Sequence, residues 1–109
     1  MANIYRNAKL DLTTASETTL YTVPSDSRAI VKSLMVCDDS NNGSSLTVTI
    51  TDSSSNVFVL FDVKSVAGHE TLEFLTHPVI LEENEILKVT AADANRLHVV
   101  SSILEINRS

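Results

Sequence analysis

The stretch Arg28–Cys37, reading Arg-Ala-Ile-Val-Lys-Ser-Leu-Met-Val-Cys, constrains the fold more than any other part of the chain. It is the longest apolar strand candidate. Strict alternation would put Ala29, Val31, Met35 and Cys37 on one face and Ile30, Leu34 and Val36 on the other. A strand with one face in water alternates apolar and polar residues, so this one belongs inside a sheet with its second face at least partly covered. The segment before it, Thr18–Val23, is β-branched and aromatic and suits a half-buried strand. Pro24 has no N–H for a ladder and ends that strand.

The remaining segments are laid around this pair. Ile4–Leu12 alternates loosely, as an edge strand or as an arm that docks on a neighbour. Asp38–Ser44, with Asn42-Gly43 inside it, carries the signal of a hairpin loop. In Leu46–Thr51 the residues Leu46, Val48 and Ile50 point inward and Thr47, Thr49 and Thr51 outward. A tight turn at Asp52–Asn56 makes a hairpin with Val57–Lys64. Glu70–Leu75, Pro78–Leu81, Ile86–Ala91 and Leu97–Ile106 follow as strands separated by polar turns. About eight strands at this spacing, with no segment of helical period, predict an all-β chain: an antiparallel, jelly-roll-like β-sandwich. Residues 1–12 form an N-terminal strand or docking arm, and residues 13–109 the sandwich domain.

Composition narrows the function. A net charge of −6 disfavours nucleic acid and anionic membrane as partners, because both require clustered Lys and Arg. Cys37 is the one cysteine, which suits synthesis in a reducing cytoplasm. The longest apolar run, Val57–Phe61, is far too short to cross a bilayer as a helix, and Met1–Leu12 lacks a secretory core.

The candidate chemistry is sparse. Asp38–Ser44 superficially resembles a calcium loop, but its twelfth position falls on Thr49 where a bidentate Glu is needed. His69, Glu70, Glu73 and His77 have metal-ligating side chains, but in a strand Glu70 and Glu73 point to opposite faces. His98 suits a satisfied side chain or an interface group. Cys37 has nothing nearby in sequence to activate it and is expected as a small buried group. No nucleophile elbow and no phosphate-cradling glycine loop is present. No catalytic residue, cofactor or metal site is therefore assigned.

What the sequence has in surplus is apolar strand faces. Arg28–Cys37, Val57–Lys64 and Leu97–Ile106 all lack a clean polar side, whereas a two-layer sandwich buries one face per sheet. The excess is expected in a subunit interface of a trimer or ring. Its candidate residues are Ile4, Tyr5, Arg6 and Leu10 near the N-terminus, Ile30, Leu34 and Val36 in the central strand, and Phe58 and Leu60.

Leu-Tyr-Thr-Val-Pro (20–24), Arg-Ala-Ile-Val-Lys-Ser-Leu (28–34) and Leu-Thr-Val-Thr-Ile-Thr-Asp (46–52) are followed by Val-Ile-Leu-Glu-Glu-Asn-Glu-Ile-Leu-Lys-Val-Thr-Ala (79–91) and Val-Val-Ser-Ser-Ile-Leu-Glu-Ile (99–106). This order resembles the small β-sandwich virion structural proteins of tailed bacteriophages, which decorate capsids or build neck and tail rings. The chain departs from them at Glu83-Asn84-Glu85, where such proteins often have a Gly-Asp turn. The resemblance implies a non-enzymatic capsid decoration (cement) protein that binds the shell as a homo-oligomer. Its partners would be copies of itself and the major capsid protein, or neck and tail proteins if it is a head–tail connector or tail-ring component. The protein would be made in the host cytoplasm and reside in the virion. A carbohydrate-binding module is a weaker alternative, since sugar platforms need exposed aromatics and this chain has no Trp, two Tyr and three Phe.

Overall fold

Two antiparallel sheets face each other in a computed structural model that describes residues 2–108; Met1 and Ser109 lie outside the described residues. The strands are β1 (Ala2–Asp11), β2 (Thr18–Thr22), β3 (Ser27–Asp38), β4 (Ser44–Thr51), β5 (Val57–Val66), β6 (Thr71–Glu73), β7 (Val79–Leu81), β8 (Ile86–Ala91) and β9 (Leu97–Asn107). One sheet runs β1-β9-β3, with β6 and β7 both pairing with the far side of β3; the other runs β2-β8-β4-β5. Apart from the β4–β5 hairpin and the β6–β7 pair, every connection crosses from one sheet to the other. This is the jelly-roll winding.

β6 pairs with Met35–Cys37 and β7 with Ala29–Val31, so two short strands share one lane beside β3. Between them the Phe74 N–H donates to the Leu34 carbonyl at 2.9 Å. Pro78, which has no N–H to give, lies in the same interruption. Where about eight strands were expected, nine form among the described residues, and they fill eight lanes.

The core is aliphatic. Leu12, Val23, Val31, Leu34, Val36, Leu46, Val48, Leu81, Leu87, Leu97, Val99 and Ile103 are all almost wholly buried between the sheets. Their strands show the period of two that a pleated sheet imposes, cleanest in β8 and β9.

β3 departs from that period in a way that corrects the sequence reading. Val31 pairs with Ile103 and Ser33 with Ser102, so Lys32 is an extra residue in a β-bulge. The bulge flips the parity of everything after it. Ala29, Val31, Leu34 and Val36 point inward together, and Met35 and Cys37 turn to the outer face. Leu34 and Val36, expected at a subunit interface, are 1% and 0% exposed and belong to the core. Cys37 is half-buried on the outer face and is not the core residue expected of it.

The loop Asp38–Ser44 is corrected too. It does not close a hairpin but carries the chain from β3 to β4 in the opposite sheet. Asp38 Oδ1 accepts from the N–H and hydroxyl of Ser40, at 2.7 and 2.6 Å, and starts the turn. Gly43 ends it at φ 73°, in the left-handed region that glycine tolerates. Other crossings turn at Asp26, Asn84 and Asn95, with φ of 61°, 65° and 63°, where Asp and Asn cost least among residues with a side chain.

Candidate interface on the five-stranded sheet

The register across the five-stranded sheet sets its outer face in rows, because residues directly opposite in antiparallel strands share a face. One row is Tyr5–Leu104–Ile30–Ile80, crossing β1, β9, β3 and β7. Tyr5 and Ile80 at its ends are 75% and 64% exposed, and Leu104 and Ile30 between them are half-buried. A second row is Lys9–Val100–Met35–Glu73, with Val100 and Met35 both well exposed. A polar row, Asn7–Ser102–Ser33, separates them. A shallow groove lined by Tyr5, Asn7, Lys32 and Ser102 runs beside the first row.

The outer face of the other sheet differs. Its rows across β4, β8 and β2 are Thr47–Thr90, Thr49–Lys88–Thr19 and Thr51–Ile86–Thr22, hydroxyls with one ammonium and one half-buried isoleucine. The apolar surplus read in the sequence is therefore placed on one sheet face and on β5. In β5, Val57, Phe58, Val59 and Val63 are exposed. Leu60 packs partly against the core, together with Phe61. Two register shifts against β4 interrupt the alternation of faces along β5, and Val63 has φ 51° beside one of them.

The segment expected as a strand or docking arm contributes β1, paired with β9 without a register shift from Ala2 to Asp11. Its two faces do different things. Ala8 and Leu10 pack partly against the core, and Ile4 lies on the same inner side near the end of the sheet. Arg6, also on that side, meets the one buried acid of β9: its Nε lies 2.8 Å from Glu105 Oε2. Tyr21, from β2 of the opposite sheet, donates its hydroxyl to the same Oε2 at 2.5 Å. Burial and the adjacent Glu105 carboxylate push the Tyr21 phenol well above the usual tyrosine range. Arg6, expected to face a partner, thus bonds within its own chain and joins the two sheets through Glu105. The sequence signal for this was Glu105 itself, a lone charge at an inward position of an apolar strand.

The chemistry-bearing residues are scattered. His98 Nε2 lies 3.2 Å from Asp11 and 3.7 Å from Asp39 at one end of the five-stranded sheet. His69 bonds Asn41 across the Asp38–Ser44 crossing. Glu73 accepts from the Leu34 N–H at 2.7 Å, which caps the gap between β6 and β7. Among the described residues, no three His, Cys, Asp or Glu side chains converge to hold a metal ion.

No protein-family description matches the sequence, and no curated protein is recognisably similar to it. Solved structures with the same fold do exist. The capsid structure of the Helicobacter pylori bacteriophage KHP30 contains a chain that superposes with a TM-score of 0.60 at 12% identity, covering 99% of this chain and 95% of that one. A subunit of the Bacillus endospore appendages, a family of disulfide-linked pili, gives 0.58 at 11% identity, covering 98% and 89%. Infectious bursal disease virus, Gx strain, gives 0.51 at 12% identity over 94% of this chain and 32% of that one. At these identities the likeness is one of fold: an antiparallel jelly-roll sandwich.

Proposed function

We propose that this chain is a non-enzymatic structural protein of a phage virion. In this reading it is a capsid decoration protein that binds the shell as a homo-oligomer. The observation that carries the reading is the apolar row Tyr5–Leu104–Ile30–Ile80, open on a sheet face of an otherwise acidic chain. Exposed apolar rows of this kind are costly in isolation and suit a face that is covered on assembly. The shared fold with a phage capsid chain supports the same reading. A head–tail connector or tail-ring component would use the same face and is the second form of the proposal. The spore-appendage likeness suits it less well: a chain of disulfide-linked copies needs at least two thiols per copy, and this sequence has one.

Co-sedimentation with phage shells that lack the protein tests this. Wild type should pellet with the shells, and Tyr5→Ser combined with Ile80→Ser should lose binding by about tenfold or more while melting like wild type. Both residues are exposed, so the substitutions leave the core intact. Equal binding by the double variant would remove the row from the account, and a wild type that binds neither shells nor tails would overturn the virion role.

A further inference from the structure

The two sheets present four open edges, and three of them are blunted. The β6/β7 edge is broken into two three-residue pieces around Pro78. β2 is five residues long, shifts register between Thr19 and Tyr21, and stops before Pro24. β5 shifts register twice. Bulges, short strands and proline are the devices by which proteins keep sheet edges from pairing with other chains. The fourth edge, β1, has none of these three: ten residues, no proline, and an unshifted register along β9. Of its positive charges, the inward Arg6 is bonded to Glu105 and Lys9 lies on the outer face.

The direction of its free backbone groups follows from the ladder. The Leu12 N–H donates to the Leu97 carbonyl at 3.0 Å, so even-numbered residues of β1 address β9. Asn3, Tyr5, Asn7, Lys9 and Asp11 therefore turn their N–H and C=O groups outward. Among the described residues, β1 pairs with no strand but β9.

We infer that this edge pairs antiparallel with β1 of a second copy, about a two-fold axis through Asn7. The inference rests on the homo-oligomeric part of the reading above and replaces the expected trimer or ring with a two-fold unit. An isologous contact must be self-complementary, and this register is. Asn7 lies opposite the partner's Asn7, Tyr5 opposite the partner's Lys9, and Asn3 opposite the partner's Asp11, all as hydrogen-bonded pairs on the outer face. On the inner face Ile4 meets the partner's Leu10, an apolar pair that covers the half-exposed end of each core. Arg6 meets the partner's Ala8, a side chain small enough to leave its bond to Glu105 in place. The neighbouring register centred on Arg6 would oppose two guanidinium groups. The one centred on Ala8 would leave Asn3 and Ile4 unpaired. The second copy thus fits the charge pattern, the apolar pattern and the hydrogen-bond parity in a single register.

Two variants of the full chain test the pairing, each read by light scattering and by non-reducing electrophoresis. Asn7→Pro removes an N–H that points away from β9, so the β1–β9 ladder survives and each copy still folds. It should raise the dimer dissociation constant by about tenfold or more. In a Cys37→Ala background, Asn7→Cys should form an interchain disulfide under mild oxidation, since Cα atoms in a hydrogen-bonded antiparallel pair lie about 5.5 Å apart. Asn3→Cys, which faces the partner's Asp11, should not. A wild type that self-associates while Asn7→Cys and Asn3→Cys crosslink equally, or while Asn7→Pro changes nothing, overturns the β1 pairing and leaves self-assembly standing. An intact, crosslinkable dimer that fails to bind shells overturns the virion role and leaves the pairing standing. A wild type monomeric at all concentrations overturns the pairing.

Discussion

Replacing Tyr21 by Phe removes one oxygen from the junction between the sheets. Glu105 is 3% exposed, and its carboxylate is held by the Tyr21 hydroxyl at 2.5 Å and by Arg6 at 2.8 and 3.3 Å. A buried carboxylate is tolerated only while it is hydrogen-bonded and paired. The Arg6 side chain is 46% exposed, so part of its attraction is screened by water. The phenol supplies the better-shielded bond. Phe fills the same space, so the cost is that of a hydrogen bond to a charged group, about 1.5–3 kcal/mol. For a domain of this size that corresponds to a fall in Tm of roughly 5–15 °C. Arg6→Ala should cost less, about 1–2 kcal/mol, between the values for exposed and buried pairs. Both partners bond Glu105 Oε2, so the double variant should depart from additivity. Thermal and urea denaturation followed by circular dichroism measures all three. A Tyr21→Phe loss below about 0.5 kcal/mol, or strict additivity, would refute the idea that Glu105 locks the sheets together.

The same junction predicts a pH dependence. The Tyr21 phenol is raised in the folded state, so its contribution is intact below the pKa of an unfolded tyrosine, about 10, and stability should fall as pH climbs beyond it. Tyr21→Phe should flatten that alkaline decline in a series of melts. Asp52 is the opposite case: the Asn56 and Ser54 N–H groups hold its carboxyl below the usual range, so the β4–β5 turn should loosen as pH drops below about 4. Amide exchange at Ser54 and Asn56 reports it, and equal protection at pH 7 and pH 3 would contradict it. Deleting Lys32 should be tolerated, because it removes the bulge and leaves Leu34 and Val36 inward, whereas deleting Met35 should unfold the chain by turning Val36 to the outside. Gly68→Ala should destabilise by about 1–3 kcal/mol, since its Cβ would sit 2.7 Å from the Asn41 backbone. A wild-type melt would count against that crowding.

Strand identity was legible in Leu46–Thr51 and Ile86–Ala91, because burial of one face alone dictates a period of two. Ile86–Ala91 keeps that period throughout, whereas in Leu46–Thr51 the outward Thr49 is also buried and Ile50 only half-buried. The central strand was placed correctly but its faces were not. A bulge costs one residue of register and leaves composition unchanged; its only local mark was two adjacent polar residues, Lys32 and Ser33, in an apolar run. The bulge exchanged residues between the faces without removing the two-sided apolarity, since Ile30, Met35 and Cys37 still share the outer face, and Leu34 and Val36 were misassigned to an interface because of that exchange. Tyr5 and Ile30 were named in sequence, but their alignment with Leu104 and Ile80 was not, since it depends on pairings between strands distant in the chain. Ile80 and Tyr21 were missed for the same reason: each acquires its role from a partner more than 20 residues away.

Electron microscopy of the assembled particle, at a resolution that traces β-strands, tests the central claim most directly. The account predicts jelly-roll density at many symmetry-related positions, with the Tyr5–Leu104–Ile30–Ile80 row covered by a neighbouring subunit or by the shell. Particles that carry no copies of the chain, or copies whose row faces open solvent, would contradict it.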